Sequence, residues 1–386
     1  MNDVVVTGFG VFTAFGYGVE ALSEAVFAGK PGFSEVRRFD TSAYSASHAA
    51  TFQGGGPVPT QLEALLACAR EALDMACHDG ADIPVLLGTN GDHAASRSFW
   101  EERHEGQQPD GTGIEDTLPA RLPARLATEL GLGRPRLAFN NACVASTNAL
   151  VYGAELIRSG VVHGAVCGGA SILTEDLFAK FDSGQALAVD EAIRPFSLGR
   201  KGLLLGDGAA VLVLESAAHA AERGAVPLGR LVGWGLSSDA HHQVQPHPRG
   251  AGLATAARRA LRRAGLKQHD IGYVNAHGTG TELNDRAESL ALHTVFSQRP
   301  TPPPMSSTKS MTGHLLEATG AVEAVITLLA LDKGLLPPTV GFRERDPDCA
   351  VDCVEHTARA ASSSYALSWN AAFGGANAAL VLGGSA

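Results

Sequence analysis

Four short segments carry side chains whose types and spacing could do covalent or acid–base chemistry. The first, Leu137-Ala138-Phe139-Asn140-Asn141-Ala142-Cys143, leads from an apolar stretch into a helical pattern and sets a thiol at the helix start. Exposed N–H groups and the helix dipole favour a thiolate there, as a nucleophile elbow requires. A cysteine so placed is, taken alone, more often an inert buried thiol. The second, Asn275-Ala276-His277-Gly278-Thr279-Gly280-Thr281, follows the apolar run Ile271 to Val274. A histidine at the carboxyl end of a strand sits where α/β folds open ligand crevices. The two glycines permit close backbone approach, and the two threonine hydroxyls can bond an amide-bearing ligand. The third, Ser307 to His314, brings Lys309 and His314 to one strand-to-helix loop, with Glu323 two to three turns further on. It is no phosphate loop, because Lys309 precedes the glycine and no GxxxxGK pattern exists. The fourth, Asn370 to Asn377, places Phe373 before Gly374 and Gly375, which suits a movable ring on a flexible turn or a simple hairpin.

Short apolar runs alternate with helical patterns from end to end, which predicts an α/β fold with parallel strands and covering helices. The strands are expected at Val4 to Val6, Val85 to Leu87, Leu137 to Phe139, within Val161 to Gly169, and at Ala209 to Leu214. Helices are expected at Gln61 to Cys77, Val144 to Arg158, Ala251 to Ala264, Asp285 to Phe296 and Glu317 to Leu331. Glu215 to Pro227 reads as a joint near the middle, and each half runs strand, helices, then two late strands, Gly164 to Ser171 and Ala209 to Leu214 in the first and Ala366 to Ala371 and Ala376 to Leu382 in the second, the pattern of an internal duplication. Arg97 to Pro119, polar and glycine-rich, reads as a surface excursion.

Composition excludes several classes of function. With 45% apolar and 18% charged residues among 386, the chain can bury a large core. Glycine, 45 residues, stands well above the usual share of about 7%, without a Gly-X-Y period. A net charge of −10 argues against nucleic acid as a partner. No window of about eighteen apolar residues predicts a membrane span, and Met1-Asn2-Asp3 does not start a signal peptide, so the expected location is the cytoplasm. Six cysteines without CxxC pairs suit reduced thiols. His241, His242 and His247 lie close in sequence but lack a closed ligand set, so no metal is expected.

Together, VVVTGFGVFTAFG, ACVASTNAL, RPFSLGRKGLLLGDGAAVLVLE, SSDAHH, NAHGTGTELND, STKSMTGHLLEATGAVEA and FGGANAALVL resemble the β-ketoacyl-[acyl carrier protein] synthases of the thiolase superfamily, of the elongating Cys-His-His type. The resemblance runs over nearly the whole chain. It implies a thiolase-like, duplicated five-layer α/β/α/β/α fold, with residues 1–220 as the half carrying the nucleophile and 221–386 as the half carrying both histidines, the lysine and a gate. By resemblance, Cys143 takes the acyl chain, with the backbone N–H groups of Cys143 and Phe373 as oxyanion hole. His277 and His314 hold the malonyl thioester carbonyl while carbon dioxide leaves. Lys309 and Glu323 are the ordering charged pair with Glu288 beside it, Thr279 and Thr281 bind pantetheine, Phe373 is the gate, and Asp239 with His242 forms a further polar pair near the channel. No cofactor is implied, since phosphopantetheine arrives on the substrate. The implied partners are acyl carrier protein and a second subunit, either identical or a ketosynthase-like chain-length factor.

Two departures stand out. Ala371-Ala372 replaces the family's usual Phe-Gly before the gate, and Gly54 to Leu65 lacks the basic residues with which relatives dock the acidic carrier. The missing cations are expected from a partner subunit or from Arg194, Arg200 and Lys201. The expected reaction is a decarboxylative Claisen condensation giving a 3-oxoacyl carrier protein, in type II polyketide or specialised fatty-acid synthesis. The alternatives are housekeeping fatty-acid elongation and a non-elongating partner subunit, which Cys143 argues against. A thiolase would need a second cysteine after Phe373, where none occurs. A cysteine hydrolase would need an acid–base pair against Cys143 and access for water.

Overall fold

The computed structural model describes residues 3–105 and 114–385. Its strands are β1 (Val4–Thr13), β2 (Val85–Gly88), β3 (Arg136–Phe139), β4 (Gly164–Ser171), β5 (Gly208–Ser216), β6 (Gly229–Ser238), β7 (Ile271–Asn275), β8 (Met305–Ser306), β9 (Tyr365–Ala371) and β10 (Ala376–Gly383). The helices that matter here are α1 (Gln61–Ala76), α2 (Ala145–Arg158), α3 (Ala251–Ala264), α4 (Glu282–Val295) and α5 (Thr319–Lys333). Among the described residues, one 11-stranded sheet runs β3-β2-β4-β5-β1-β6-β10-β9-β7-β8, with a two-residue strand beside β1.

Read outward from the centre, the two sides have the same order. β2 lies parallel to β3 and β4, β4 antiparallel to β5, and β5 antiparallel to β1. β7 lies parallel to β8 and β9, β9 antiparallel to β10, and β10 antiparallel to β6. The sides join where Val5 and Val6 pair with Arg230 and Gly229. Helix α1 covers β1 and β5, α3 covers β6 and β10, and α2 and α5 pack together between the two halves of the sheet. This is the five-layer arrangement expected from the resemblance, and α5 is buried on nearly every face because both of its sides are covered.

The repeat explains part of the glycine excess. In β1, a Cβ on Gly8 or Gly10 would lie 2.0 or 2.1 Å from a carbonyl oxygen of α1. In β6, a Cβ on Gly233 or Gly235 would lie 2.4 or 2.1 Å from a carbonyl oxygen of α3. A GxG pair in the first strand of each half therefore lets the outer helix lie directly on the sheet.

Element positions follow the sequence expectations with shifts at the ends. The apolar run from Val161 to Gly169 holds the strand Gly164–Ser171, as the late-strand pattern places it, and α4 begins at Glu282 rather than Asp285. The helix expected from Glu317 is preceded by a single turn, Leu316–Ala318, in which Leu316 adopts φ +47°. The expected excursion Arg97 to Pro119 holds the end of a helix, His93–His104, and a turn at Ile114–Thr117, while 106–113 lie outside the described residues. Among the described residues, no helix is long and apolar enough to cross a membrane.

Replacing Gly235 by Ala is expected to cost about 1–3 kcal/mol, because the new methyl must displace α3 backbone. Gly55→Ala, in open space, serves as control. Denaturant unfolding checks this, and equal midpoints for both variants would refute the close approach.

Candidate active site

Cys143 sits in a single turn, Ala142–Val144, between β3 and α2. Ala142 takes φ +52°, an uncommon conformation for a residue with a side chain. Gly88 and Gly169, at the carboxyl ends of β2 and β4, leave room for Ser146 just beyond the cysteine, where any added Cβ would clash. The thiol is buried, and its Sγ lies 3.1 Å from His314 Nε2.

Burial pushes the Cys143 thiol up to about 12, with Glu317 adding to the rise and Lys309 opposing it. This corrects the expectation that the helix start would favour a thiolate. Burial is the largest cause and favours the neutral thiol.

His314 follows the short helix Lys309–Thr312. Its Nδ1 lies 3.1 Å from Thr319 Oγ1 and accepts the Leu316 N–H at 3.4 Å. With Nδ1 accepting, the ring proton sits on Nε2 and points at Cys143. The turn at Leu316, with its left-handed backbone, is what aims that N–H back at the ring.

His277 stands edge-on to His314, with ring centroids 5.4 Å apart and planes at 84°. Its loop is fixed by Glu288, whose carboxylate accepts the N–H groups of His277 and Gly278 at 2.6 and 2.7 Å and the Trp369 indole N–H at 2.5 Å. Glu288 thus acts on the histidine through its backbone, and burial raises it to about 7. Both imidazoles are held well below their ordinary value, first by burial and then by the nearby Lys309 charge, so both are neutral.

Lys309 Nζ meets Glu323 Oε1 at 2.5 Å, and both side chains are buried. The second carboxylate oxygen accepts Asn370 Nδ2 at 2.6 Å, and Asn370 Oδ1 accepts the Thr147 hydroxyl at 2.7 Å. Thr147 lies one turn into α2 behind Cys143. The charged pair is therefore tied to the nucleophile's own helix through a chain of hydrogen bonds that joins the two halves.

Cys143, His277 and His314 line a cavity of about 420 Å³. Thr279 and Thr281 line it, with hydroxyls 2.9 Å apart. Phe373, 47% exposed, closes one side and stacks on Phe181 at 5.9 Å and 25°. Ala371 and Ala372 also line it, leaving space beside the ring. The structure separates the other expected pair. Asp239 lines the cavity, but its carboxylate is taken by Asn377 Nδ2 and the His247 N–H. His242 is exposed, does not line the cavity, and accepts the Val244 and Gln245 N–H groups with Nδ1.

Two of the three cations expected to dock a carrier are committed elsewhere. Arg194 is buried against Asp190, and Arg200 is buried between Asp346 and Asp285. Lys201 alone of the three is exposed, at the cavity wall. Among the described residues, one close His and carboxylate group occurs, His78, Glu215 and His219, far from these segments in sequence. Its carboxylate already accepts from Thr7, His219 and Arg223.

Sequence reading missed Trp369, Thr147 and Glu317. Glu317 is buried in the turn that packs on the cysteine's turn, and burial raises its carboxyl. A carboxyl between Leu316 and Ala318, in a stretch otherwise apolar, was its one available signal.

Residues 58–220 match the family model described as "Beta-ketoacyl synthase, N-terminal domain", and residues 228–343 match "Beta-ketoacyl synthase, C-terminal domain". The 3-oxoacyl-[acyl-carrier-protein] synthase 2 of Vibrio cholerae is 33% identical, the alignment covering 98% of each chain. Among solved structures, the ishigamide ketosynthase/chain length factor superposes with a TM-score of 0.93 at 35% identity, over 99% of each chain. AntDE:AntF, a type II polyketide synthase acyl-carrier protein in complex with its ketosynthase, gives 0.92 at 26%, over 99% of each chain.

With a thiol near 12, alkylation of Cys143 by iodoacetamide is expected to keep accelerating with pH through about 10 without a plateau. Peptide mass spectrometry follows it, and a plateau below about pH 8 would show a thiolate preformed by the helix start.

Proposed function

The chain belongs to the β-ketoacyl synthase family of acyl-transferring condensing enzymes, and from that premise we propose how its own residues condense an acyl group with malonyl-acyl carrier protein. The observation that carries this reading is the meeting of Cys143 Sγ with a neutral His314 at 3.1 Å, a second neutral histidine beside it and a buried lysine behind.

In the first half-reaction, Cys143 sulfur attacks the thioester carbonyl of an acyl carrier protein. The bond to the arm's sulfur breaks, and the thiol proton leaves with the arm as a free thiol. Backbone N–H groups of Cys143 and Phe373 receive the transient oxyanion. In the second, the malonyl thioester oxygen takes hydrogen bonds from His277 and from the Nε2–H of His314. The carboxylate leaves as carbon dioxide, and its bonding pair becomes an enolate under those donors. Two neutral imidazoles suit this step, because each donates a hydrogen bond to the developing charge without surrendering its proton, and the positive potential of the Lys309 ammonium favours that charge. The enolate carbon then attacks acyl-Cys143, and the cysteine sulfur departs as a thiolate that takes a proton from solvent to restore the resting thiol, leaving a 3-oxoacyl thioester on the carrier. Thr279 and Thr281 hold the pantetheine arm.

No cofactor of the enzyme's own enters this scheme, since phosphopantetheine comes with the carrier. Six free thiols suit a cytoplasmic setting. A specialised pathway with a chain-length-factor partner is favoured by the alanine pair beside Phe373 and by the likeness to a ketosynthase/chain length factor. General fatty-acid elongation uses the same chemistry.

Purified protein is expected to release carbon dioxide from malonyl carrier protein and to extend an acyl primer. Cys143→Ala should abolish condensation, while His314→Ala should still transfer acyl groups but decarboxylate at least about 100-fold more slowly. Intact mass spectrometry of the carrier, with and without a second ketosynthase-like subunit, reads both steps. Condensation unaffected by Cys143→Ala would refute the scheme.

A further inference from the structure

A substrate delivered on a carrier protein must bring that protein's body against the cavity mouth, so the side chains around the mouth decide what holds it. On the reading above, we propose that the carrier docks on an exposed apolar collar formed by Leu198, Val244 and Leu283, and is held there by apolar contact rather than by charge pairing.

Val244 and Leu283 line the outer cavity and are each 54% exposed, while Leu198 is 45% exposed. Leu283 lies two residues after Thr281, in the first turn of α4, so its position is fixed to the loop that meets the arm. It forms a crest between the cavity and a neighbouring groove that Leu198 lines on the far side. Val244 and Leu283 at the opening, with Leu198 on the adjoining groove, put large exposed apolar side chains where another surface can lie.

Charge offers little at the same place. Arg200 is buried between two carboxylates, and Arg286 faces Asp348 at 3.9 Å. Glu282 is exposed beside Leu283, so Lys201 has a carboxylate of opposite sign along the same rim. The segment Gly54 to Leu65 supplies no cation. Among the residues that line the cavity, Lys201 is the one exposed cation and Glu282 lies on the same lining, so the mouth itself gives an acidic partner only a weak steering field. What remains for it to grip is the collar, placed where the arm must enter.

The test compares malonyl carrier protein with malonyl-pantetheine, which needs no docking, using the enzyme with whatever subunit it purifies with. Leu198→Asp and Leu283→Asp are expected to raise KM for the carrier substrate about tenfold with little change in kcat. Leu198→Asp, outside the cavity, should leave turnover of malonyl-pantetheine unchanged. For the parent enzyme, KM for malonyl carrier should change less than about twofold between about 50 and 500 mM salt. The proposal is overturned if KM ignores both substitutions, or if it climbs steeply with salt and Lys201→Ala reproduces the climb. It is equally overturned if the substitutions change the oligomeric state, which would make the collar a subunit contact. A parent enzyme that turns over neither substrate would instead bring down the functional reading itself.

Discussion

Everything at the catalytic centre depends on the buried contact between Lys309 and Glu323. An ammonium group without water is costly to keep, and removing one partner of such a pair leaves the other uncompensated. The carboxylate therefore has to be held, and Asn370 and Thr147 hold it from β9 and α2. Once placed, the lysine's charge has two effects. It adds to the burial that keeps His277 and His314 neutral, and it partly offsets the burial that raises Cys143. One ion pair thus biases three neighbouring groups on top of what burial does, and its hydrogen-bonded anchor also ties the two halves together.

The halves share a strand order but contribute differently to the centre. The thiol comes from the turn before α2, while the histidines and the lysine come from loops at the carboxyl ends of β7 and β8 and before α5. Because α2 and α5 lie side by side in the middle layer, those loops converge although their residues are far apart in the chain. The outer helices can sit close to the sheet through the GxG pairs of β1 and β6, which frees the central layer to be shaped by the site.

Much of this was legible in the sequence, for identifiable reasons. Strands and helices declared themselves by apolar runs and three-to-four-residue spacing, and the loops with His277 and His314 by glycine and hydroxyl residues clustered at strand ends. The repeat was read from element order alone, although VTGFGV in β1 and LVGWGL in β6 carry the same glycine spacing. What sequence could not supply was burial. A helix start suggests a thiolate until the site proves dry, and Arg194 and Arg200 look like surface cations until Asp190, Asp346 and Asp285 claim them. His242 was expected beside Asp239 from the resemblance alone, but the ring is exposed and its Nδ1 accepts the N–H groups of Val244 and Gln245.

The middle layer has a consequence for how the chain is made. Helix α2 is complete by residue 158, yet the helix that covers it, α5, begins at Thr319. During synthesis from the amino terminus, the first half must wait with an apolar helix face uncovered while the intervening residues emerge. The contacts that finally close it are among the most distant in sequence, which slows their formation. Production of this enzyme is therefore exposed to aggregation before its second half arrives, and chaperone supply during translation, more than the stability of the finished fold, would govern its yield.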